Sequence, residues 1–256
     1  MIGVFDSGYG GLTVLAALHA RLPRQRFLYL GDNAHAPYGP KSGAEILALT
    51  QAGVELLFRA GARVVILACN TATAVAIRPL QQNWLLQHHP DRRILGVIAP
   101  MIEEIAQTPW HSTAGPDAAR RPVETIAVFA TQATVESGFF PREIALRAPN
   151  IAVTQQACPE LAGMIEADAA ESALRATVAR HVDALESKMP PIESRCKCGN
   201  KSCIAGGETE RLDRIPREIL HLRMAEEIGD HRRRNARRLT QNLSLRRQGA
   251  AKQRFH

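Results

Sequence analysis

The chain has 256 residues, of which 45% are hydrophobic and 22% charged, so it can form one large α/β domain or two smaller lobes. No apolar run approaches the ~20 residues of a membrane-spanning helix, and the N-terminus carries no basic segment or cleavage signal, so we expect a cytoplasmic protein without membrane contact. The net charge of +7 comes from residues 186–256, which hold 17 Lys and Arg against 9 Asp and Glu. This positive charge therefore does not indicate that the main body of the chain binds nucleic acid.

Strand-like and helix-like segments alternate in the first half of the chain. The apolar pattern predicts strands at 2–5, 27–30, 63–68 and 94–98, and helices at 11–22, 42–60 and 71–86. Ser42 followed by Glu45 is a capping box that starts the second of these helices, and Gly61 is typical of a position where a helix ends. Strands that alternate with helices predict a mostly parallel sheet with helices on both faces.

The same alternation resumes after a polar stretch at 108–121, which we expect to be a long loop. The pattern then predicts strands at 125–130 and 151–154, and helices at 134–146 and 159–167. We therefore expect an α/β fold of two similar lobes, each a mostly parallel sheet flanked by helices, with the active site in the cleft between them. The predicted boundaries are 1–98 for the first lobe, 99–185 for the second lobe and 186–256 for a divergent basic tail.

A glycine-rich motif, DSGYGG at residues 6–11, follows the first predicted strand. Ligands of parallel sheets bind beyond the carboxyl ends of the strands, and glycines let backbone N–H groups approach a ligand closely. The motif lacks the Gly-Lys-Ser/Thr ending and the spacing of nucleotide-binding loops, so it is weak support for a nucleotide site. A turn that binds no ligand is the simpler alternative.

Cys69, Asn70 and Thr71 follow the third predicted strand and stand at the start of a helix. The partial positive charge of a helix N-terminus lowers the pKa of a thiol, so we expect Cys69 to favour the thiolate. Asn70 and Thr71 supply donors and acceptors suited to the backbone groups of an amino acid. The alternative is a buried cysteine that packs as a small hydrophobe.

Two further motifs are weaker when each is taken alone. Tyr38 and Gly39 belong to a segment rich in proline and glycine that also suits an ordinary turn. Cys158 follows the predicted strand at 151–154, and Glu166 lies on the next predicted helix, where a solvated position is the simpler interpretation.

Taken together and in order, these motifs resemble those of the glutamate racemase family. The match runs through IGVFDSGYGGLTVL, YLGD, APYGPKS, VVILACNTATA, LGVIAP, AVFATQATVESGFF and ACPELAGMIE, and it covers about residues 2–185. The resemblance implies a cofactor-independent isomerase that interconverts L- and D-glutamate and supplies the D-isomer for peptidoglycan synthesis. It also implies a homodimer, because the family often forms dimers.

The resemblance implies that Cys69 is one catalytic acid or base and that Asp6, which lies near it, is also catalytic. It implies a substrate-binding set that comprises Asp6, Ser7, Tyr38, Gly39, Asn70, Thr71 and Glu166, the last of them near the second catalytic half. It implies glutamate as the small-molecule partner, and no metal.

Racemisation needs the α-proton removed from one face of a carbon and returned on the other, which requires two groups in complementary protonation states. Two thiols suit this task, one as thiolate and the other as thiol. Pyridoxal phosphate is the usual alternative and needs a lysine, but Lys41, in a turn, is the only lysine before residue 186. We therefore expect a mechanism without a cofactor.

The second cysteine motif of the family, Gly-Cys-Thr-His, is absent from the chain. Cys198 matches the position of the second catalytic cysteine better than Cys196, but neither is followed by Thr-His. A shifted reading frame would explain the tail, and the abrupt change of charge and periodicity favours it. A metal site could be formed by Cys196, Cys198 and Cys203, but their spacing is not a standard zinc pattern. The arginine cluster could bind nucleic acid, but such a charge run is more typical of a solvated segment.

Two other functions stay open at this stage. The chain could be a racemase for another acidic amino acid such as aspartate, or a catalytically inactive homologue that acts as a binding or regulatory protein. Measurable turnover separates an enzyme from a binding protein, and a panel of substrates separates glutamate from aspartate.

Overall fold

The computed structural model describes residues 1–106 and 124–188. These residues belong to the first of two compact units, Met1–Ile219, and the second unit, Leu220–His256, lies outside the described residues. The stretch predicted as a loop at 108–121 and nearly all of the basic tail also lie outside them, so the lobe and tail boundaries stay predictions. Within the described ranges, no helix is long and apolar enough to cross a membrane.

Strands and helices alternate along the described residues. The strands are β1 (Ile2–Asp6), β2 (Phe27–Gly31), β3 (Val64–Leu67), β4 (Arg93–Gly96), β5 (Glu124–Ala130) and β6 (Ile151–Ala157). The helices are α1 (Gly11–Arg21), α2 (Gly43–Arg59), α3 (Asn70–Pro79), α4 (Leu85–His88), α5 (Ile98–Ala106), α6 (Gln132–Glu136), α7 (Phe139–Arg147), α8 (Leu161–Glu166) and α9 (Glu171–Glu186), and a π-helical segment (Leu80–Trp84) joins α3 to α4.

All strand pairs among the described residues are parallel, which confirms the predicted α/β class. A four-stranded sheet has the order β2-β1-β3-β4, and a two-stranded sheet pairs β5 with β6. In the larger sheet, Phe5 lies between Leu30 of β2 and Leu67 of β3. The carboxyl ends of β1, β2 and β3 therefore meet at one edge, where parallel sheets bind ligands.

Helix α2 begins as predicted and packs closely on β1. The Ser42 hydroxyl accepts a hydrogen bond from the backbone N–H of Glu45, which satisfies one of the free N–H groups of the first turn. Gly53 faces the Phe5 ring so closely that a Cβ there would lie 2.7 Å from Phe5 Cδ2. Phe5 is fully buried, and its ring lies 6.4 Å from that of Tyr38. This close approach fixes the distance between α2 and β1.

A buried ion pair links α3 to α7. The Glu143 side chain is 1% exposed, and both of its oxygens accept hydrogen bonds of 2.8 Å from Arg78 Nη2. Arg147 Nη1 donates to the same carboxylate at 2.9 Å. Because removing one partner leaves a buried charge uncompensated, such a pair costs ~3–5 kcal/mol to break. The pair therefore fixes the end of α3 against a helix that follows β5.

Four elements differ from the sequence predictions. The helix predicted at 71–86 is α-helical only to Pro79 and then becomes π-helical, at the point where proline lacks the N–H for a regular turn. The single helix predicted at 134–146 is wrong, because Gly138 adopts φ 61° and separates α6 from α7. Ile98, predicted as strand, starts α5, and α9 is a helix that the apolar pattern does not single out.

We expect Gly53→Ala to lower the free energy of unfolding by about 1–3 kcal/mol, because an added methyl group overpacks the Phe5 ring. Urea unfolding followed by circular dichroism measures this change. Gly163→Ala is the matched control, since Gly163 is also helical and a Cβ there would meet nothing within 4 Å. The control should be neutral or stabilise by ~0.5–1 kcal/mol through lower backbone entropy. A Gly53→Ala protein as stable as the parent contradicts the packing described.

Candidate active site

The strand ends bring Asp6, Asp32 and Cys69 to one edge of the larger sheet. Asp6 is the last residue of β1, and Cys69 follows β3 by two residues. The backbone N–H of Ala68 donates to the Phe5 carbonyl at 2.8 Å, which extends the β1–β3 pairing up to the cysteine. The N–H of Asp32 donates to the Asp6 carbonyl at 2.9 Å, which does the same for β2.

Asp6 is a buried carboxylate held by backbone donors. Its Oδ2 accepts hydrogen bonds from the N–H groups of Gly8 at 3.2 Å and Gly11 at 2.9 Å. Burial raises the pKa of Asp6, and these backbone donors oppose the rise by stabilising the charged form. Gly11 has no room for a side chain, since a Cβ there would lie 2.7 Å from the Asp6 Cβ. Gly8 and Gly11 of the motif therefore donate their backbone N–H groups to the Asp6 carboxylate.

Cys69 caps the N-terminus of α3 with its sulfur. The Sγ atom accepts from the backbone N–H of Ala72 at 3.3 Å and lies 3.3 Å from the Ser7 hydroxyl. Burial, and then the nearby Asp6 charge, raise the pKa of Cys69 to about 11, and the bonds to Ser7 and Ala72 only partly offset this. The prediction that Cys69 favours the thiolate is therefore wrong. The N–H of the first turn of α3 does stabilise the thiolate, but the effect of desolvation on the pKa is larger, so Cys69 is a thiol near neutral pH.

The first turn of α3 presents polar groups beside Cys69. The Oδ1 atom of Asn70 is buried and has no hydrogen-bond partner in the described part of the chain. The Thr71 hydroxyl lies 3.0 Å from that of Thr131, and Thr134 Oγ1 donates to Thr71 Oγ1 at 3.4 Å. An unpaired buried acceptor costs free energy, so Asn70 is suited to a donor group on a ligand.

Tyr38 and Gly39 join the same region through their own contacts. The Tyr38 side chain is buried, and its hydroxyl donates to Asp32 Oδ2 at 2.8 Å. Gly39 accepts from the backbone N–H of Ala133 at 3.1 Å, and a Cβ on Gly39 would lie 3.1 Å from the Thr131 Cβ. This segment, for which an ordinary turn was one of two interpretations, therefore packs against the residues that follow β5.

Glu166, at the end of α8, is solvent-exposed but lies against the loop after β1. A Cβ on Gly8 would be 3.3 Å from Glu166 Oε1. The exposure agrees with the solvated position that the sequence suggests. The Glu166 carboxylate therefore lies near Gly8, the residue that follows Ser7 in the chain. A role for Glu166 in the site stays a prediction.

Three residues of this region were not singled out by the sequence analysis as site residues. Asp32 holds the Tyr38 hydroxyl, while Thr131 and Thr134 form a hydroxyl cluster with Thr71. The available signal was position, because Asp32 and Thr131 each follow directly after a strand. Their partners lie elsewhere along the chain, so the pattern of one segment could not reveal the contacts.

The second catalytic position cannot be placed by the described residues. Cys198, Cys196 and Cys203 all lie outside them, and so does the metal site considered for these cysteines. Among the residues described, no group of His, Cys, Asp or Glu is suited to a metal ion. Cys158 is buried in a small apolar cluster with Phe129, and its thiol donates to a backbone carbonyl at 3.7 Å.

Comparisons with known proteins converge on one enzyme family. No protein family model matches the chain. A glutamate racemase from Caulobacter sp. (strain K31) is 45% identical over 207 residues, which cover 77% of this chain and 72% of the relative. A glutamate racemase from Paracoccus denitrificans is 46% identical over 193 residues, which cover 75% and 69%. Both relatives are therefore matched over more than two thirds of their length.

Solved structures give the same result for the fold. A glutamate racemase from Bacillus anthracis superposes with a TM-score of 0.58 at 28% identity, over 72% of this chain and 63% of that one. A glutamate racemase from Francisella tularensis, solved with D-glutamate, gives 0.54 at 31% identity, over 64% and 55%. The chain spans less than two thirds of these solved relatives.

We expect the rate of Cys69 alkylation by iodoacetamide to rise about tenfold per pH unit from neutral pH and to reach half its maximum near the pKa of about 11. The reason is that only the thiolate reacts and burial disfavours it. Mass spectrometry of the tryptic peptide 64–92, which contains no other cysteine, gives the rate. In urea the midpoint should fall toward the ordinary value of 9.0. A folded-state midpoint below that value would restore the thiolate expectation.

Proposed function

The chain belongs to the glutamate racemase family, and we propose that it interconverts L- and D-glutamate without a cofactor, with Cys69 as one of two groups that move the α-proton. The observation that carries the proposal is the buried Cys69 thiol at the N-terminus of α3, in contact with Ser7 and beside the Asp6 carboxylate. A thiol held in this way can give a proton to a carbanion-like α-carbon or, as thiolate, remove one.

The protonation state of Cys69 decides whether it first donates or removes a proton. Because the pKa of Cys69 lies near 11, the group starts as a proton donor, and the other base must start the reaction on one enantiomer. A bound ammonium group next to Asp6 and Cys69 would stabilise the thiolate by charge and would let Cys69 remove the proton from the opposite enantiomer. Substrate binding would thus prepare the thiolate.

The groups around Cys69 are suited to the ammonium and carboxylate groups of an amino acid. The free Asn70 Oδ1 is an acceptor for the ammonium group. The start of α3, with Thr71 in its first turn, offers N–H groups and a favourable dipole for a carboxylate. Ser7, with Tyr38 and Gly39, completes the proposed binding set, and Glu166 is assigned to the second catalytic half.

The second acid–base group is proposed to be Cys198. Its support is position along the sequence relative to Glu166, since the residue lies outside the described part of the chain. A racemase needs such a group on the face of the α-carbon opposite Cys69, because one base alone can exchange a proton but cannot invert the centre.

The proposed cellular role is supply of D-glutamate for peptidoglycan synthesis, and hence for the cell wall and cell shape. The proposed location is the cytoplasm. We propose that the protein acts as a homodimer, as the family resemblance implies. The proposed catalytic cycle needs only glutamate as a partner.

We expect purified protein to convert L-glutamate to D-glutamate, as followed by circular dichroism, and to incorporate deuterium at the α-carbon in D₂O from both enantiomers. Cys69→Ala should reduce conversion by ~10²–10⁴-fold, the usual contribution of a positioned acid or base. Cys198→Ala should do the same, and Cys196→Ala should not. Cys158→Ala is the matched control, because Cys158 is also a buried thiol but lies in a separate apolar cluster.

Three results would contradict parts of this proposal. Exchange from one enantiomer without inversion would mean that Cys69 works without a second base. Absence of exchange from either enantiomer would leave a scaffold without its chemistry and would favour a binding protein. Faster turnover of aspartate than of glutamate would show that the substrate assignment is wrong.

A further inference from the structure

A side chain from β2 holds a backbone carbonyl of the loop that follows β1. The Tyr29 hydroxyl donates a hydrogen bond to the carbonyl oxygen of Gly8 at 2.7 Å. The backbone N–H of the same Gly8 donates to Asp6 Oδ2 at 3.2 Å. Both polar backbone groups of Gly8 are therefore fixed, one by β1 and one by β2.

The loop also lies directly against β2 at the same carbonyl. A Cβ on Gly31 would be 2.5 Å from the Gly8 oxygen, so only glycine at this position lets the carbonyl stay where Tyr29 binds it. Tyr29 and Gly31 are neighbours on one face of β2, two residues apart. The position of the Gly8 carbonyl is thus determined by two independent features of β2.

Ser7 lies between the two anchored points of this loop. It is bonded in the chain to Asp6 on one side and to Gly8 on the other, and its hydroxyl lies 3.3 Å from Cys69 Sγ. The Gly8 carbonyl belongs to the peptide between Gly8 and Tyr9, so a carbonyl that is free to move would let that peptide rotate and let the loop shift around Ser7. The Ser7 hydroxyl would then spend less time at hydrogen-bond distance from the sulfur.

We propose that Tyr29 is a positioning residue for Cys69: by holding the Gly8 carbonyl, its hydroxyl keeps Ser7 in contact with the catalytic thiol. The inference deepens the proposed function and rests on it, because the proposed function gives Cys69 its catalytic role. The contact itself can be tested without turnover, so failure of the racemase proposal and failure of this one are distinguishable.

The chemistry of Tyr29 suits this task. Burial, and then the nearby Asp6 and Cys69 charges, raise the pKa of Tyr29 well above its ordinary value. The phenol therefore remains a neutral donor across the pH range in which Cys69 ionises. Removing its oxygen atom removes the hydrogen bond to Gly8 without removing a charge. Because Tyr29 also hydrogen-bonds the Asp6 side chain, the Ser7→Ala background is needed to separate the route through Ser7 from the route through Asp6.

The test is the pH midpoint of Cys69 alkylation in full-length Tyr29→Phe protein, read from tryptic peptide 64–92. We expect the midpoint to rise by about 0.5 pH unit, because one hydrogen bond to the thiolate is weakened. Ser7→Ala should raise it at least as much, by about 0.5–1 unit. In Ser7→Ala protein, the added Tyr29→Phe change should have no further effect, since Tyr29 acts through Ser7.

Two further variants make the test independent of how one substitution folds. Gly31→Ala keeps Tyr29 but pushes on the Gly8 carbonyl, and it should raise the midpoint in the same direction. Tyr9→Phe is the matched control, because Tyr9 is 56% exposed, and it should leave the midpoint unchanged. The proposal is overturned if Tyr29→Phe and Gly31→Ala both leave the midpoint unchanged, or if the effects of Tyr29→Phe and Ser7→Ala simply add.

Discussion

Parallel pairing of β1 with β3 brings the Asp6 carboxylate and the Cys69 thiol to the same sheet edge, and the other contacts of the site are built around that pair. Both groups are buried, and in the described part of the chain neither forms an ion pair with a lysine or arginine. The surrounding backbone instead supplies hydrogen bonds to each of them. The glycines of the first motif bring their N–H groups close to Asp6, and the first turn of α3 brings an N–H to Cys69.

The protonation state of Cys69 follows from a competition between burial and hydrogen bonding. A helix N-terminus is worth roughly 0.3–1 kcal/mol for a charge at an exposed position, whereas full burial of an ionised group costs more than one such interaction returns. The pKa near 11 means that desolvation by burial outweighs the hydrogen bonds from Ser7 and Ala72. Under the proposed function, a charged substrate next to Cys69 would shift this balance toward the thiolate, and a two-base reaction requires such a change of protonation of each base in turn.

The residues after β5 are connected to α3 at both of its ends. Near the N-terminus, the hydroxyls of Thr71 and Thr131 lie 3.0 Å apart. Near the C-terminus, Arg78 binds the buried Glu143 carboxylate. Helix α3 is therefore held at the end that carries Cys69 and at the opposite end, so its N-terminal groups have a defined position relative to β5. A buried ion pair is stronger than a hydrogen bond between two hydroxyls, so the Arg78–Glu143 pair constrains the helix more than the Thr71–Thr131 contact does.

The sequence by itself determined the parallel α/β class, the strand ends that carry Asp6 and Cys69, and the family, because apolar periodicity and the order of motifs are local properties of the chain. It did not determine the break at Gly138, which depends on one backbone angle. Nor could it determine the contact of Tyr29 with Gly8, whose partners lie 21 residues apart. The thiol state of Cys69 also came only from the tertiary structure, since the desolvation that raises its pKa depends on which distant segments cover it.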